Sequence, residues 1–411
     1  MVPTAETQYF QDRRRDFPSL TRLHNGHPLV FFDGPAGTQV PFRVINAMTG
    51  YYVSHNANTH GQFVTTRETD REIDEARRTV AAFLGTKDWH TISFGANMTT
   101  LAYALSKAIG RALKEGDHVL ITQLDHEANR GPWLSLAEKG IIVDEVIMKA
   151  DGTLDEEDLE KRIGKKTRLV ALGMASNALG TVNDFQLARK LTRKVGAWLL
   201  LDAVHYAPHF PVDVRKIDPD FLLCSAYKFY GPHVGILYTR PGLLKKLQTD
   251  RLRTQEPDPP FRIETGTLNH AAIAGVKAAI EYIAALGAGQ ELRDKIVKGM
   301  NRIAAHERRL AEDLYNGVKE RPQVQVYGVP FGSDPRAPTV AFTVKGKTAE
   351  QVCAALGKKG ICAWDGHFYA IRPIEVLGLL KQGGVTRVGM SLYNTHGEVE
   401  RFLGELRRIA G

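Results

Sequence analysis

Between residues 91 and 239 the chain repeats one pattern, a short apolar run followed by a longer amphipathic stretch. The runs fall at 91–94, 118–122, 141–148, 168–174, 197–204, 221–225 and 235–239 and are rich in Ile, Val, Leu and Phe. They are too short for buried helices and have the composition of strands covered on both faces. The stretches between several of them carry helical signals. In 67–84, Ile73, Ala76, Val80, Phe83 and Leu84 share a face and Gly85 closes the segment. Residues 187–195 run into Gly196, a residue suited to a left-handed helix end. This alternation predicts an α/β fold with a mainly parallel, seven-stranded sheet between two helical layers.

After about residue 285 the style changes. A basic helical stretch at 291–318 leads to strand-like runs at 323–327 and 339–344. The chain ends in a helix with Val399, Phe402, Leu403, Leu406 and Ile409 on one face. The predicted organisation is an N-terminal segment at 1–30 that packs with the small domain, a large domain at 31–285 and a smaller α+β domain at 286–411. A helix at 271–285 joins the two domains. Pro257, Pro259 and Pro260 mark a loop.

Several function classes are disfavoured. The 54 Lys and Arg against 46 Asp and Glu give a net charge of +8. These charges are scattered over helix faces among acids, so a solvated basic surface is expected rather than a nucleic-acid interface. Cys224, Cys353 and Cys362 are far apart and form no CxxC pair, which argues against a disulfide framework or a cysteine metal site. No run reaches the length of a membrane span, and the polar start with Arg13, Arg14 and Arg15 is no signal peptide, so the cytoplasm is expected. Gly287-Ala288-Gly289 lacks the third glycine and the preceding strand of a dinucleotide-binding turn.

Three segments carry chemistry. In Ser225-Ala226-Tyr227-Lys228-Phe229-Tyr230-Gly231-Pro232, a lysine follows directly on a buried strand. Desolvation there favours a neutral or covalently used amine, although a lysine snorkelling out of a strand end fits equally. Asp202 ends the run before it, at the strand edge where open α/β sheets bind ligands. A carboxylate there can hold a pyridinium nitrogen protonated, as pyridoxal phosphate requires, or can simply cap a turn. Phe94-Gly95-Ala96-Asn97-Met98-Thr99-Thr100 passes from a strand into a helix. It reads as a phosphate cradle or as ordinary threonine capping.

Together these segments resemble the class V aminotransferase family of fold-type-I pyridoxal-phosphate enzymes. The similarity is greatest to its cysteine desulfurase and selenocysteine lyase branch, with isopenicillin N epimerase-like proteins nearby. It runs from Phe31-Phe32-Asp33-Gly34-Pro35-Ala36 to Tyr393-Asn394-Thr395. The resemblance implies pyridoxal 5'-phosphate as cofactor, with Lys228 as its covalent anchor and Asp202 as partner of its ring nitrogen. It makes His126, in Asp125-His126-Glu127-Ala128-Asn129, the histidine that stacks on the ring and moves protons. Asn177 is implied as a contact to the 3'-oxygen. Thr99, the Met98 backbone and Ser225 become phosphate ligands, and Thr267 becomes a phosphate contact given to the other subunit of a homodimer. Arg387 would grip the α-carboxylate of an amino-acid substrate, where a bidentate guanidinium pair suits the task. His60 is a further substrate-binding candidate.

Departures from the family pattern bear on the reaction. His205 stands near the expected 3'-oxygen with an open role, and Tyr227 replaces the usual histidine before the lysine. In Trp364-Asp365-Gly366-His367-Phe368-Tyr369-Ala370, Tyr369 stands where a desulfurase carries its sulfur-accepting cysteine. Cys362, seven residues earlier, is expected to be a structural thiol. A phenol cannot form a persulfide. The expected reaction is therefore β-elimination on a sulfur- or selenium-containing amino acid, with His126 or Tyr369 assisting the leaving group. Aminotransfer or epimerisation is the alternative, and a catalytically silent cofactor-binding scaffold is the alternative of another class.

Overall fold

The computed structural model describes residues 5–332 and 335–411; the first four residues of the predicted N-terminal segment lie outside it. The seven expected runs form one sheet, in the order Ile92–Gly95, Gly235–Thr239, Phe221–Ser225, Trp198–Asp202, Thr167–Gly173, His118–Thr122, Ile142–Val146. Six strands share a direction, and only Gly235–Thr239 runs against both neighbours. Successive residues pack on opposite faces: Leu199, Leu201, Leu222 and Cys224 join one apolar cluster, Leu200, Phe221 and Leu223 the other. Burial on both faces is why these runs read as continuous rather than alternating.

Some boundaries differ from the expected ones. The run at 141–148 forms a strand only over Ile142–Val146, because it lies at the sheet edge with one neighbour and Ile142 exposed. The run at 197–204 stops at Asp202, where the chain turns and Tyr206 N donates to Ala203 O. Helices Val64–Leu84 and Phe185–Val195 end at Gly85 and Gly196, both left-handed.

A second, antiparallel sheet has the order Val324–Tyr327, Thr339–Val344, Val385–Gly389, Trp364–Gly366. Helices Leu292–Lys319, Ala349–Lys358 and His396–Ala410 supply Leu310, Leu314, Val352, Leu356, Phe402 and Leu406 to its core. Val30–Phe31 pairs in parallel with Ile361–Cys362, and Asp33 bridges to Gly389. The following residues cross to the large sheet, where Thr38 N donates to Tyr227 O at 3.0 Å. The carboxyl ends of the parallel strands, at Gly95, Ser225, Asp202, Gly173 and Thr122, therefore lie on an edge that residues 33–38 approach from the second sheet.

Candidate active site

At that edge a cleft of about 600 Å³, partly open to solvent, is lined by Met98, Thr99, Asp125, His126, Asn177, Asp202, His205, Ser225, Tyr227 and Lys228, among others. Its first wall is the start of helix Met98–Ala112. Asn97 caps this helix: its Oδ1 accepts from Thr100 N at 2.9 Å, and its N–H donates to Thr100 Oγ1 at 3.3 Å. Met98 N donates to Ser225 Oγ at 3.1 Å, which joins the helix start to the end of strand Phe221–Ser225. A Cβ on Gly235 would run into the backbone of Asn97, so only glycine admits this approach. Threonine capping is thus not the whole account of this segment. Asn97 does the capping with Thr100, while exposed Thr99 lies at the mouth of the cleft. The positive end of a helix dipole, with hydroxyls of Thr99 and Ser225 beside it, suits a phosphate ester.

Lys228 ends the short turn Ala226–Lys228 and is buried. Burial, reinforced by the charge of Arg387 and opposed by Asp202, lowers its pKa to about 7. Its Nζ donates to the carbonyl oxygen of Pro35, on the crossing segment. Asp202 ends the adjacent strand; its Oδ1 accepts from Val204 N at 2.8 Å, and burial raises its pKa to about 6. Asp125, which sequence reasoning did not single out, is a second buried carboxyl here. Its Oδ1 accepts from Gly173 N at 2.7 Å and its Oδ2 has no partner. Burial, then the charge of Asp202, raises its pKa to about 7.

His126 accepts from Ala128 N through Nδ1 at 3.0 Å, which leaves the proton of a neutral ring on Nε2. Burial, with Lys228 and Arg387 nearby, lowers its pKa to about 3, so the ring is neutral. His205 is likewise held neutral by burial; its Nε2 lies 3.0 Å from Thr339 Oγ1 and its Nδ1 has no partner. Tyr227 stacks on His233 with ring centroids 4.7 Å apart, and burial raises its pKa.

Other expected residues stand outside the cleft wall. Arg387, in strand Val385–Gly389, is 2% exposed; it donates through Nη1 to Asn177 O at 3.0 Å and lies beneath the Phe368 ring. Burial lowers its pKa to about 9. Tyr369 is 72% exposed, with its ring centroid 5.9 Å from that of His126. Its carbonyl accepts from Glu127 N at 2.7 Å. Thr267 and His60 are exposed and line no part of the cleft in their own chain. Asn97, Asp125 and Phe368 are the residues sequence reasoning missed. Asn97 was detectable as a helix N-cap type at the right offset, whereas nothing local marks the other two.

The donor set fits pyridoxal phosphate. It combines a buried amine near neutrality, a carboxyl at the next strand end, a neutral imidazole on the wall and a capped helix start at the cleft. Residues 30–402 match the family Aminotransferase class-V. A cysteine desulfurase of Serratia proteamaculans (strain 568) is 32% identical over 96% of this chain and 97% of its own length. A probable cysteine desulfurase of Synechocystis sp. is 32% identical over 96% and 94%. The apo structure of a cysteine desulfurase from Thermococcus onnurineus NA1 superposes with a TM-score of 0.87 at 30% identity, covering 97% of each chain. The Escherichia coli cysteine desulfurase CsdA gives 0.84 at 25% identity over 99% and 98%. Members of this family use pyridoxal phosphate, and no helix among the described residues is long and apolar enough to cross a membrane. On this combination of fold, cleft and kinship, the chain belongs to the class V aminotransferase family and is a cysteine desulfurase-like, pyridoxal-phosphate-dependent enzyme.

Proposed function

We propose that the enzyme is a C–S or C–Se lyase that eliminates the β-substituent of an amino acid and releases it directly to solvent, with no protein persulfide. The observation that carries this reading is that no cysteine lines the cleft among the described residues. Tyr369 occupies the loop where a thiol is expected. Cys362 lies on strand Ile361–Cys362, with its pKa raised to about 11 by burial and by the charge of Asp33. Cys224 and Cys353 are buried.

Pyridoxal phosphate, when bound, supplies an electron sink that stabilises negative charge at the substrate Cα. Lys228 is its anchor, and its Nζ takes the Cα proton. Asp202 would keep the ring nitrogen protonated, and Thr99, Ser225 and the Met98 backbone would hold the phosphate. His126 would cover the ring and offer its Nε2 proton, and the exposed phenol of Tyr369, beside His126, would protonate the leaving sulfur. Asn177 and His205, which line the cleft, would contact the 3'-oxygen, and Arg387 would take the α-carboxylate. The Cα–H and Cβ–S bonds break, and hydrolysis gives ammonia and a keto acid.

A homodimer is part of the proposal. Thr267 and His60 lie on exposed loops away from their own cleft, which suits residues given to a second copy. A cytoplasmic setting is supported by three unpaired thiols. The test is a screen for sulfide, ammonia and keto-acid release from a panel of amino acids, including D-isomers and selenium analogues. Stoichiometric sulfide, ammonia and keto acid without added reductant support elimination. Keto acid formed only with an added amino acceptor would replace it by aminotransfer, and loss of chirality alone by epimerisation.

A further inference from the structure

Arg387 is an unusual buried cation. It occupies a central position of the second sheet, opposite Ala341 on one side and Trp364 on the other, so its backbone is held on both sides. It forms no ion pair among the described residues. One nitrogen is satisfied by Asn177 O, while Nε is buried with no partner. Asp33 acts on it electrostatically without a bond within ion-pair distance, so the guanidinium still has room for a directly bonded anion. The Phe368 ring lies against the guanidinium, whose carbon is 3.9 Å from the ring centroid.

Phe368 belongs to a loop in an uncommon backbone state. Gly366, Phe368 and Tyr369 have φ of +103°, +53° and +56°, and two of these three have side chains that disfavour the left-handed region. Such a conformation persists only where its surroundings determine it. Here Asn177 Nδ2 donates to Phe368 O at 3.0 Å, Glu127 N donates to Tyr369 O at 2.7 Å, and Tyr369 N donates to His367 Nδ1 at 3.2 Å. Asn177 is therefore bonded to the loop through its side chain and to Arg387 through its carbonyl, while it also lines the cofactor cleft.

We propose that Phe368 is a specificity-determining cap on Arg387: its ring covers the guanidinium in the resting enzyme, and an amino acid gains its carboxylate contact only by displacing that ring. This rests on the reading that Arg387 takes the α-carboxylate. An amine without a carboxylate has nothing to exchange for the ring–cation contact and leaves the cap closed. The loop that carries Tyr369 toward His126 then moves only with a carboxylate substrate, so selection and positioning of the acid group become one event.

The test uses the cofactor-loaded enzyme with phenylglyoxal, which modifies accessible arginines, and peptide mass mapping to follow Arg387. Modification is expected to be slow in the wild type, about tenfold faster or more in Phe368→Ala, and intermediate in Phe368→Leu, which retains apolar bulk without a π face. A second readout is spectral titration with L-alanine, which has no β-leaving group, and with ethylamine, which lacks the carboxylate. Half-saturation by L-alanine should fall several-fold in Phe368→Ala, in line with loss of a cation–π contact, while the ethylamine response is unchanged. Equal labelling of Arg387 in wild type and both variants overturns the cap, as does unchanged or weaker L-alanine binding. Arg387→Ala separates the two readings. If it leaves L-alanine affinity intact, the carboxylate reading fails and the cap with it; if affinity is lost there but Phe368→Ala changes nothing, the cap alone fails.

Discussion

Gly173 N–H donates to Asp125 Oδ1 at 2.7 Å, and Gly173 stands in register opposite Asp202 on the neighbouring strand. A side chain on Gly173 would collide with the Asp125 carboxyl, so glycine at this strand end is what lets two carboxyl groups flank the same backbone position. The charge of Asp202 raises the cost of ionising Asp125, whose burial already disfavours the charged form. Of the two, Asp125 is pushed further, to about 7, and is the carboxyl that holds a proton near neutrality.

Carboxyl carbon NMR of the cofactor-free protein should therefore show three aspartates titrating well above the ordinary range, Asp125 at about 7 and Asp202 and the buried Asp33 at about 6. In Asp125→Asn the transition at about 7 should vanish, and in Asp202→Asn it should move down, because no charge at Asp202 then opposes ionisation of Asp125. Ordinary titrations of Asp125 and Asp202 in the wild type would contradict the burial argument.

Lys228 has its pKa lowered to about 7, chiefly by burial. The neutral amine is the nucleophile, so covalent attachment of pyridoxal phosphate to the apoenzyme should speed up between pH 6 and pH 8 and level off above. An unshifted lysine would still be accelerating at pH 9. Lys228→Ala should leave no borohydride-fixed cofactor mass on the peptide that spans residue 228.

Arg387→Ala removes the proposed charge-assisted contact to the substrate carboxylate. The loss should be about 2–3 kcal/mol, a rise in KM of roughly 30- to 150-fold, with the spectrum of the resting enzyme intact. Steady-state kinetics together with that spectrum separate lost binding from lost cofactor.

Cys362→Ala should leave turnover essentially unchanged, and no persulfide should accumulate on the protein after incubation with L-cysteine. Mass spectrometry that found an added sulfur on Cys362, absent from the alanine variant, would restore a protein-bound desulfurase cycle. Tyr369→Phe, by contrast, should slow turnover about 10²-fold if the phenol protonates the leaving sulfur.

Arg77 and Glu264 form a buried bidentate pair, with both N–O distances 2.6 Å, and Glu264 Oε1 also accepts from Phe94 N. Rings of Phe94 and Phe261 cover the guanidinium at 4.9 and 5.0 Å. Glu264→Ala strands a buried cation and should cost about 3–5 kcal/mol, measured as a lowered urea midpoint. Because the pair ties the loop that bears Thr267 to the strand that feeds the phosphate cradle, cofactor affinity should fall with it.

The large sheet was legible before any coordinates because each strand announces itself locally. A strand buried on both faces must be apolar at every position, and the stretch that covers it must repeat with helical period. Lys228 and Asp202 were legible for the same reason, as polar residues where such runs end. Only their adjacency depended on strand order, which the register of Trp198–Asp202 with Phe221–Ser225 supplies. Motif resemblance extended this to His126, Asn177, Ser225 and Arg387, but as positions in a pattern rather than as contacts. That Arg387 lies covered by Phe368, that Lys228 rests on Pro35 O and that Asp125 faces Asp202 could not be read from the chain. Lys228 and Pro35 are 193 residues apart in sequence, and Asn177 and Phe368 are 191 apart. Periodicity reports which face of its own element a residue occupies. The distance between two faces is decided when the second sheet packs over the edge of the first, and there the desolvation of charged groups sets their protonation.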